Sequence, residues 1–220
     1  SLPRTKPLTF VPKRTNLVAV LYAAAFSALL SVMWVLVRNL SSSIHPLEIS
    51  FWGSVFGLLT FLPTVFKFGT KVFLTNRAGL HLVRAIFNGS AILAWFCALT
   101  LVPLANAVAL ILIAPLLITI GAIFLFDEKV GYRRWMALGF GGLGALIVLR
   151  PGYQAFDLGV TLLLLTVLCS AIQRLISKSL VKTDNSTTSV IYLMLFMVPV
   201  TLIPSLFVWT QPTFSEFAIL

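Results

Sequence analysis

Polar side chains recur at helical spacing inside three long apolar runs, and these are the side chains whose types could do chemistry. Within each stripe the spacings are 3, 4 or 7 residues, which places its members on one face of a helix. The three stripes are Ser27, Ser31, Trp34 and Arg38; His81, Arg84, Asn88 and Trp95; and Thr166, Ser170, Gln173 and Ser177. A shared, water-accessible cavity is the simplest common explanation, because polar groups in apolar runs usually face protein or water.

The cavity hypothesis nominates eight residues for contact with a small polar molecule. They are Ser27, Ser31, Trp34, Arg84, Asn88, Trp95, Ser170 and Gln173. Arg84 lies near the start of its run, roughly 8 Å deep, so its guanidinium could instead reach the interface. Asn88 lies one turn deeper and cannot reach the interface, so it is the better candidate for contact with the polar molecule. We predict that Asn88→Ala and Ser27→Ala reduce function without preventing membrane insertion.

A structural explanation competes with the cavity hypothesis for most of these residues. Serine and threonine hydroxyls often donate to carbonyls of their own helix, so Ser27, Ser31 and Ser170 fit either role equally well. Trp34 and Trp95 could stack on a planar solute or simply fill space between helices. The sequence leaves both alternatives open.

Catalysis, metal binding and cofactor binding are not expected. Neither Ser27 nor Ser170 has a histidine or carboxylate placed to activate it. The cysteines, Cys97 and Cys169, lie in separate apolar runs, which favours buried packing thiols over a disulfide or metal site.

Two further signals have bland explanations. Gly139, Gly141 and Gly144 form a GxGxxG motif. The motif lies inside an apolar run rather than between a strand and a helix, which favours close helix packing over dinucleotide binding. We expect Gly53 and Gly57 to pack against a neighbouring helix in the same way. No carboxylate lies at mid-membrane depth, although Glu48, one turn into its run, comes closest. The sequence therefore offers no obvious proton relay.

The elements that carry these residues are membrane spans. Hydrophobic residues make up 59% of the 220 residues and charged residues 10%, too few to cover a soluble surface. Runs of about 20 apolar residues cross a bilayer as helices. The predicted spans are 17–37, 46–66, 79–102, 104–126, 132–149, 158–180 and 188–209. Pro115 in the fourth span and Pro199 in the seventh should each disturb their helix, and we assign Pro115 a conformational or cavity-shaping role.

Charge predicts the orientation of the spans. With the N-terminus inside, 14 of the 16 basic residues fall on the inner side and Arg38 and Arg150 on the outer side, as the positive-inside rule requires. The basic residues therefore indicate an inner-membrane protein with a cytoplasmic N-terminus, rather than one that binds nucleic acid. Its expected partners are the lipid bilayer and a small-molecule substrate, and we also consider a homodimer.

A weak internal repeat appears when the first two spans are laid on the last two. Ser27-Ala28 matches Ser170-Ala171, and Leu62-Pro63 matches Ile203-Pro204. Because each repeat unit contains five spans, an odd number, the second copy enters the membrane from the opposite side, the inverted plan of many secondary transporters. We predict a basic arm at 1–16, a first five-span repeat at 17–152 and an incomplete second repeat at 153–220.

The stretch from the fourth to the fifth span resembles EamA-type members of the drug/metabolite transporter superfamily. It runs from ANAVAL and APL through Glu128 and a basic turn to a glycine-rich span that closes on Arg150-Pro151-Gly152. HPLEISFWGSVFGLL and GLHLVRAIF extend the resemblance. This sequence departs from related ones at Gly53, where many have arginine, and at Asp127, where many have glycine.

The resemblance implies ten spans as two five-span halves, so the chain looks like a fragment that lacks three. It also implies a central cavity formed chiefly by the first, third and fourth spans and their repeat partners. Relatives of this type carry S-adenosylmethionine, riboflavin or amino-acid-like metabolites. The leading hypothesis is therefore a secondary transporter that works by alternating access. The alternatives are a non-transporting scaffold or truncated remnant and, less favoured, an intramembrane enzyme.

Overall fold

Each predicted apolar run forms helix over most of its length in the computed structural model, which describes residues 13–69, 73–127, 130–149 and 157–210. These residues contain nine helices and no strand, because two of the seven runs are each divided in two. The helices are α1 Lys13–Leu40, α2 Pro46–Leu59, α3 Leu62–Phe68, α4 Ala78–Leu101, α5 Leu104–Ile111, α6 Ala114–Phe126, α7 Tyr132–Leu149, α8 Leu158–Leu180 and α9 Ser186–Ser205. The protein is an all-α polytopic membrane protein.

Six of the seven helical runs in the described residues are long and apolar enough to cross a membrane. The remaining run, the predicted fifth span, is α7, which has 18 residues and begins with Tyr132 and two arginines. At 1.5 Å per residue it is roughly 27 Å long, slightly less than the hydrocarbon core. Some predictions fall outside the described residues: those on most of the basic arm (1–12), on Glu128, on 150–156 and on 211–220.

Proline divides two of the spans. α5 ends at Ile111 and α6 begins at Ala114, with Pro115 in the first turn of α6, where its missing N–H costs nothing. Pro63 begins α3 in the same way and separates it from α2, a break that the sequence analysis did not predict. Pro199, by contrast, lies inside α9, which continues through it as one helix. The conformational role of Pro115 stays a prediction.

α4 is the helix around which α8 and α9 pack. α8 runs antiparallel to α4: Arg77 Nη1, just before α4, donates to the Ser179 carbonyl near the end of α8 (3.4 Å). At the other end, Gly159 in the first turn of α8 lies against Val102, just after α4. α9 runs parallel to α4, and α2 runs antiparallel to α9. The start of α4, the end of α8 and the start of α9 therefore lie at one end of the bundle. The start of α2 and the end of α9 lie at the other end.

The two ends differ in chemistry. At one end, here called the basic end, lie most of the described cations that flank helix termini: Lys67, Arg77, Arg133, Lys178 and Lys182. Near the other end lies an apolar core centred on Leu99, Leu110 and Leu163, and Arg38 is close to it, donating to the Val102 carbonyl. Which of the two ends faces the cytoplasm stays a prediction.

Two turns of the chain have the same backbone hydrogen bonding. After α1, the N–H groups of Ser43 and Ile44 both donate to the Leu40 carbonyl (3.0 and 2.9 Å). After α8, Thr183 and Asp184 donate to the Leu180 carbonyl at the same two distances. His45 then caps α2 through its side chain, as Asn185 caps α9. The turns are thus equivalent at an offset of 140 residues.

The glycines at close helix contacts are mostly not the predicted ones. A Cβ added to Gly89 would overlap Val200 Cγ1, so α4 and α9 touch there. The prediction holds at Gly57, where a Cβ would lie 3.1 Å from Met194 Sδ. It is wrong at Gly53, where a Cβ would meet no described atom within 4 Å. It is equally wrong at the motif glycines of α7, which are Gly139, Gly141 and Gly144.

Gly89→Ala should therefore destabilise the protein by about 1 to 3 kcal/mol, the usual cost of overpacking, because the neighbouring valine is stiff. Gly53→Ala is the matched control and should be neutral or slightly stabilising, since alanine is the better helix former. Thermal unfolding of the purified protein in detergent measures both. Equal unfolding temperatures for the two variants would show that α4 and α9 are not in tight contact at Gly89.

Candidate functional site

The polar stripe of α4 faces α9. Arg84 is 8% exposed, and its Nη1 donates to the Ser189 hydroxyl (2.6 Å) and to the Ser189 carbonyl (3.1 Å). Its Nε is buried and has no hydrogen-bond partner among the described residues. A buried donor on a cation costs free energy while it is unpaired. An acceptor from a ligand would remove that cost by binding this N–H.

One turn towards the basic end, His81 and Asp184 are hydrogen-bonded to each other. His81 Nε2 lies 2.7 Å from Asp184 Oδ2, and the exposed fractions of the two side chains are 0% and 5%. The Thr75 hydroxyl donates to the same carboxylate oxygen at 2.7 Å. Hydrogen bonds from Thr75 and His81 hold the pKa of the Asp184 carboxyl below its ordinary value. Asp184 is therefore ionised at neutral pH.

This carboxylate ties the loop before α4 to the turn before α9. Arg77 donates its backbone N–H to Thr75 Oγ1 (3.0 Å), which in turn donates to Asp184. The Tyr192 hydroxyl donates to the Phe73 carbonyl (3.0 Å), and the Tyr192 ring stacks on His81 with centroids 5.1 Å apart. We call this set of bonds the α4–α9 latch. Thr75, Arg77 and Asp184 of the latch line a polar recess of 520 Å³ at the basic end.

Asn88 and the tryptophan pair occupy the rest of the α4 stripe. Asn88 is half-buried, and its Nδ2 contacts Met197 Sδ at 3.4 Å, which is a weak acceptor. The Asn88 amide therefore makes only a weak hydrogen bond here and could form a stronger one with another polar group. Trp95 is buried against Trp34 of α1, edge to face, with centroids 5.1 Å apart. In this structure the two rings pack on each other.

The other predicted residues lie apart from this face. Ser27 and Ser31 are exposed on α1 and donate to carbonyls of their own helix, both at 2.9 Å. Ser170 is half-buried on α8, and Gln173 is half-buried with its Oε1 accepting from Ser177 (3.3 Å). The described residues thus bring Arg84 and Asn88 to one boundary and Trp34 to Trp95. A cavity shared by all eight stays a prediction.

A second buried carboxyl lies at the opposite end. Glu48 is 0% exposed, and its Oε2 accepts from the Thr210 N–H (2.9 Å) and hydroxyl (2.7 Å). Phe51 and Trp209 lie nearby, ring against ring at 5.7 Å. These contacts join the start of α2 to the segment after α9.

Sequence reasoning missed Asp184, Ser189 and Tyr192. Asp184 lies in the connector between the sixth and seventh predicted spans, and its partner His81 is 103 residues away. One signal was available in the repeat: at the offset of 140, Asp184 stands where the other copy has Ile44, an apolar and buried residue. Since the equivalent turn has an apolar residue at this position, the turn itself does not require an acidic one, and Asp184 is expected to have another role.

Helices long and apolar enough to cross a bilayer define the class as a polytopic α-helical membrane protein, and α4 carries a buried cation and a polar face within it. The profile of the EamA-like transporter family matches residues 17–150. Because this is more than half of the chain, the protein belongs to that family.

Several curated transporters are similar to the chain. An S-adenosylmethionine uptake transporter of Rickettsia prowazekii (strain Madrid E) is 25% identical over 190 residues, 86% of this chain and 65% of the relative. A riboflavin transporter of Vibrio cholerae serotype O1 is 34% identical over 157 residues, 70% of this chain and 53% of the relative. A riboflavin transporter of Rhizobium johnstonii is 30% identical over 151 residues, 69% and 50% of the two chains. The chain thus spans about half to two thirds of the relatives it matches.

Proposed function

We propose that the protein is a secondary transporter that moves a small polar organic metabolite across the cytoplasmic membrane by alternating access, without covalent chemistry. Family membership and the names of the curated relatives support the transport of a small metabolite. The candidate substrates are S-adenosylmethionine-like, riboflavin-like or amino-acid-like compounds. The observation that carries the proposal is the polar face of α4, where Arg84 and Asn88 hold unused hydrogen-bonding groups at a helix boundary.

The proposed orientation places the basic end in the cytoplasm, and with it the N-terminus. Its support is the gathering of described cations at that end, since cytoplasmic loops carry an excess of lysine and arginine. On this orientation, the α4–α9 latch closes the cytoplasmic end, and Glu48 with Thr210 closes the outer end.

The proposed domain plan is a first repeat at 17–152 and part of a second at 153–220. The equivalent turns around Ile44 and Asp184, 140 residues apart, support it. Five intervening spans invert the second copy relative to the first, so the two turns belong at opposite membrane surfaces. α2 and α9 do run antiparallel, with Glu48 at the start of one meeting Thr210 after the end of the other. The break at Pro115 gives the fourth span a point at which to flex as access alternates.

Asn88→Ala tests this proposal. We expect it to reduce uptake of the substrate by about tenfold, since the amide loses its hydrogen bonds to the solute. Ser27→Ala is expected to reduce uptake less, because the Ser27 hydroxyl already donates to its own helix. Uptake by cells that express the full-length protein, normalised to the amount of protein in the membrane, measures both. Unchanged uptake by Asn88→Ala would remove the α4 face from the transport path.

A further inference from the structure

Two buried nitrogens on the α4 face that meets α9 have no hydrogen-bond partner within the part of the chain that the structure describes. They are Nδ1 of His81 and Nε of Arg84, on residues one helical turn apart. Side chains three residues apart on a helix are neighbours on its surface, so the two nitrogens belong to one polar patch. Substrate binding, as proposed above, uses Arg84 and leaves the nitrogen of His81 without a role.

The contact with Asp184 determines which nitrogen of His81 carries hydrogen. Because an ionised carboxylate only accepts hydrogen bonds, we assign the hydrogen of the neutral ring to Nε2, which donates to Asp184 Oδ2 at 2.7 Å. Nδ1 then carries a lone pair and is the atom at which the ring takes up a proton. Histidine is the side chain that ordinarily gains and loses a proton between pH 5 and 8.

The charges around His81 decide when that proton is held. The Asp184 carboxylate favours an imidazolium, and so does the Tyr192 ring, which stacks on the imidazole with centroids 5.1 Å apart. Arg84, one turn along α4, and Arg77, four residues before His81, oppose it as like charges. An anion bound at Arg84 would therefore shift the balance towards the imidazolium.

Other charged groups of the helices packed nearby face elsewhere. The cations on or beside α8, which packs along α4, are Arg174, Lys178 and Lys182. Arg174 is exposed, and both lysines lie over the Phe126 ring of α6. On α2, which packs along α9, Glu48 lies at the opposite end of the bundle. Lys71, in the loop before α4, lies outside the described residues.

An anionic group of the substrate would couple the two unpaired nitrogens. An oxygen placed between them accepts from Arg84 Nε, but it meets a lone pair on His81 Nδ1 unless a proton has bound there. The anion also offsets the charge of Arg84, which removes a repulsion from the imidazolium. Proton and anion thus strengthen each other's binding, and by linkage each does so by the same factor.

We propose that His81 Nδ1 binds a proton that crosses the membrane with the substrate, which presents a carboxylate or another anionic group to Arg84. The proton comes from water on the side where the substrate enters and returns to water on the other side. This inference rests on the proposed function, since it requires that Arg84 contacts the substrate. It needs no carboxylate at mid-membrane depth, because the fold assembles the proton site from His81 and Asp184, 103 residues apart.

Accumulation driven by a pH gradient tests the proposal in proteoliposomes that contain the full-length protein. The probes are labelled S-adenosylmethionine, riboflavin and a set of amino acids, and the outer medium is more acidic by one pH unit, with the membrane potential held at zero. If one proton crosses with each substrate, the wild type should accumulate at least one probe about tenfold, because one pH unit is a tenfold difference in proton activity. Counterflow without a gradient measures carrier activity separately.

His81→Gln separates proton binding from carrier activity. Glutamine keeps an N–H for Asp184 but holds no proton, so accumulation should fall to the level seen without a gradient. Counterflow should persist at saturating substrate, with a higher half-saturation concentration, because Arg84 remains. His45→Asn is the matched control: it replaces the exposed histidine that caps α2 with the residue type that caps α9, and it should accumulate the probe as the wild type does.

The outcomes distinguish the proton site from the proposed function. Counterflow by the wild type without any response to the pH gradient would overturn the proton site and leave the carrier in place. Accumulation by His81→Gln equal to that of the wild type would also overturn it. If the correctly inserted wild type exchanged none of the probes, the proposed function would fall, and this inference with it.

Discussion

Replacing Arg84 with methionine is expected to reduce transport roughly a hundredfold. Arg84 is a buried cation on α4 that is fixed by Ser189 and has an unpaired Nε. In the methionine variant, the substrate would lose a charge-assisted hydrogen bond to this guanidinium, worth about 3 kcal/mol. The loss should be greater for an anionic than for a cationic substrate. Arg84→Lys should fall between wild type and methionine, because lysine keeps the charge but not the planar fork of donors. Initial rates of uptake at several substrate concentrations measure the effect.

Two controls separate substrate binding from folding. Arg174→Met removes an exposed cation from α8 and should leave transport unchanged. Ser189→Ala removes one of the two acceptors of Arg84 but keeps the backbone carbonyl, so a loss of only a few-fold is expected. If Arg84→Met were correctly inserted and transported every tested substrate at the wild-type rate, Arg84 would have a packing role alone.

Removing the Asp184 carboxylate should open the α4–α9 latch. Asp184→Ala loses the bonds to Thr75 and His81, about 2 kcal/mol in total, which corresponds to a roughly thirtyfold shift towards the open state. The N–H of Arg77 reports on this change because it donates to Thr75 Oγ1. We expect its hydrogen exchange, corrected for the intrinsic rate, to accelerate about thirtyfold. Asp157→Ala, which removes an N-cap carboxylate at the start of α8, should have no effect on Arg77.

The latch should also respond to acid. The pKa of Asp184 is lower in the folded protein than in an unfolded chain, so its carboxylate stabilises the latch fully above the ordinary aspartate pKa of about 4. That stabilisation is lost as the pH falls through the lower pKa of the folded state. Exchange at Arg77 should therefore accelerate below about pH 4 in the wild type but not in Asp184→Ala. The same acid response in both proteins would show that another group controls the loop.

Much of the helical framework could be predicted because apolar length alone decides where a chain crosses a membrane. α8 was predicted at 158–180 and found there, and α4 begins and ends within one residue of the prediction. The break before Pro115 follows from its missing N–H. The break at Pro63 was missed because the apolar run continues through it without a change in composition.

The candidate site was harder to predict because helical periodicity shows which residues share a face but not which neighbour that face meets. His81, Arg84 and Asn88 do share a face, yet it meets α9 rather than α1. The contact between His81 and Asp184 joins residues 103 positions apart, which no local pattern indicates. The hydroxyls of Ser27 and Ser31 fit two roles, and their bonds to their own helix were visible only in three dimensions.

Counterflow into proteoliposomes that contain the full-length protein tests the central claim most directly. Labelled S-adenosylmethionine, riboflavin and a set of amino acids would be offered to vesicles loaded with the same unlabelled compound. We expect saturable exchange of at least one of them by the wild type and its loss in Arg84→Met. An absence of exchange for every compound, in vesicles where the protein is shown to be correctly inserted, would contradict the proposal that this protein is a carrier of small polar metabolites.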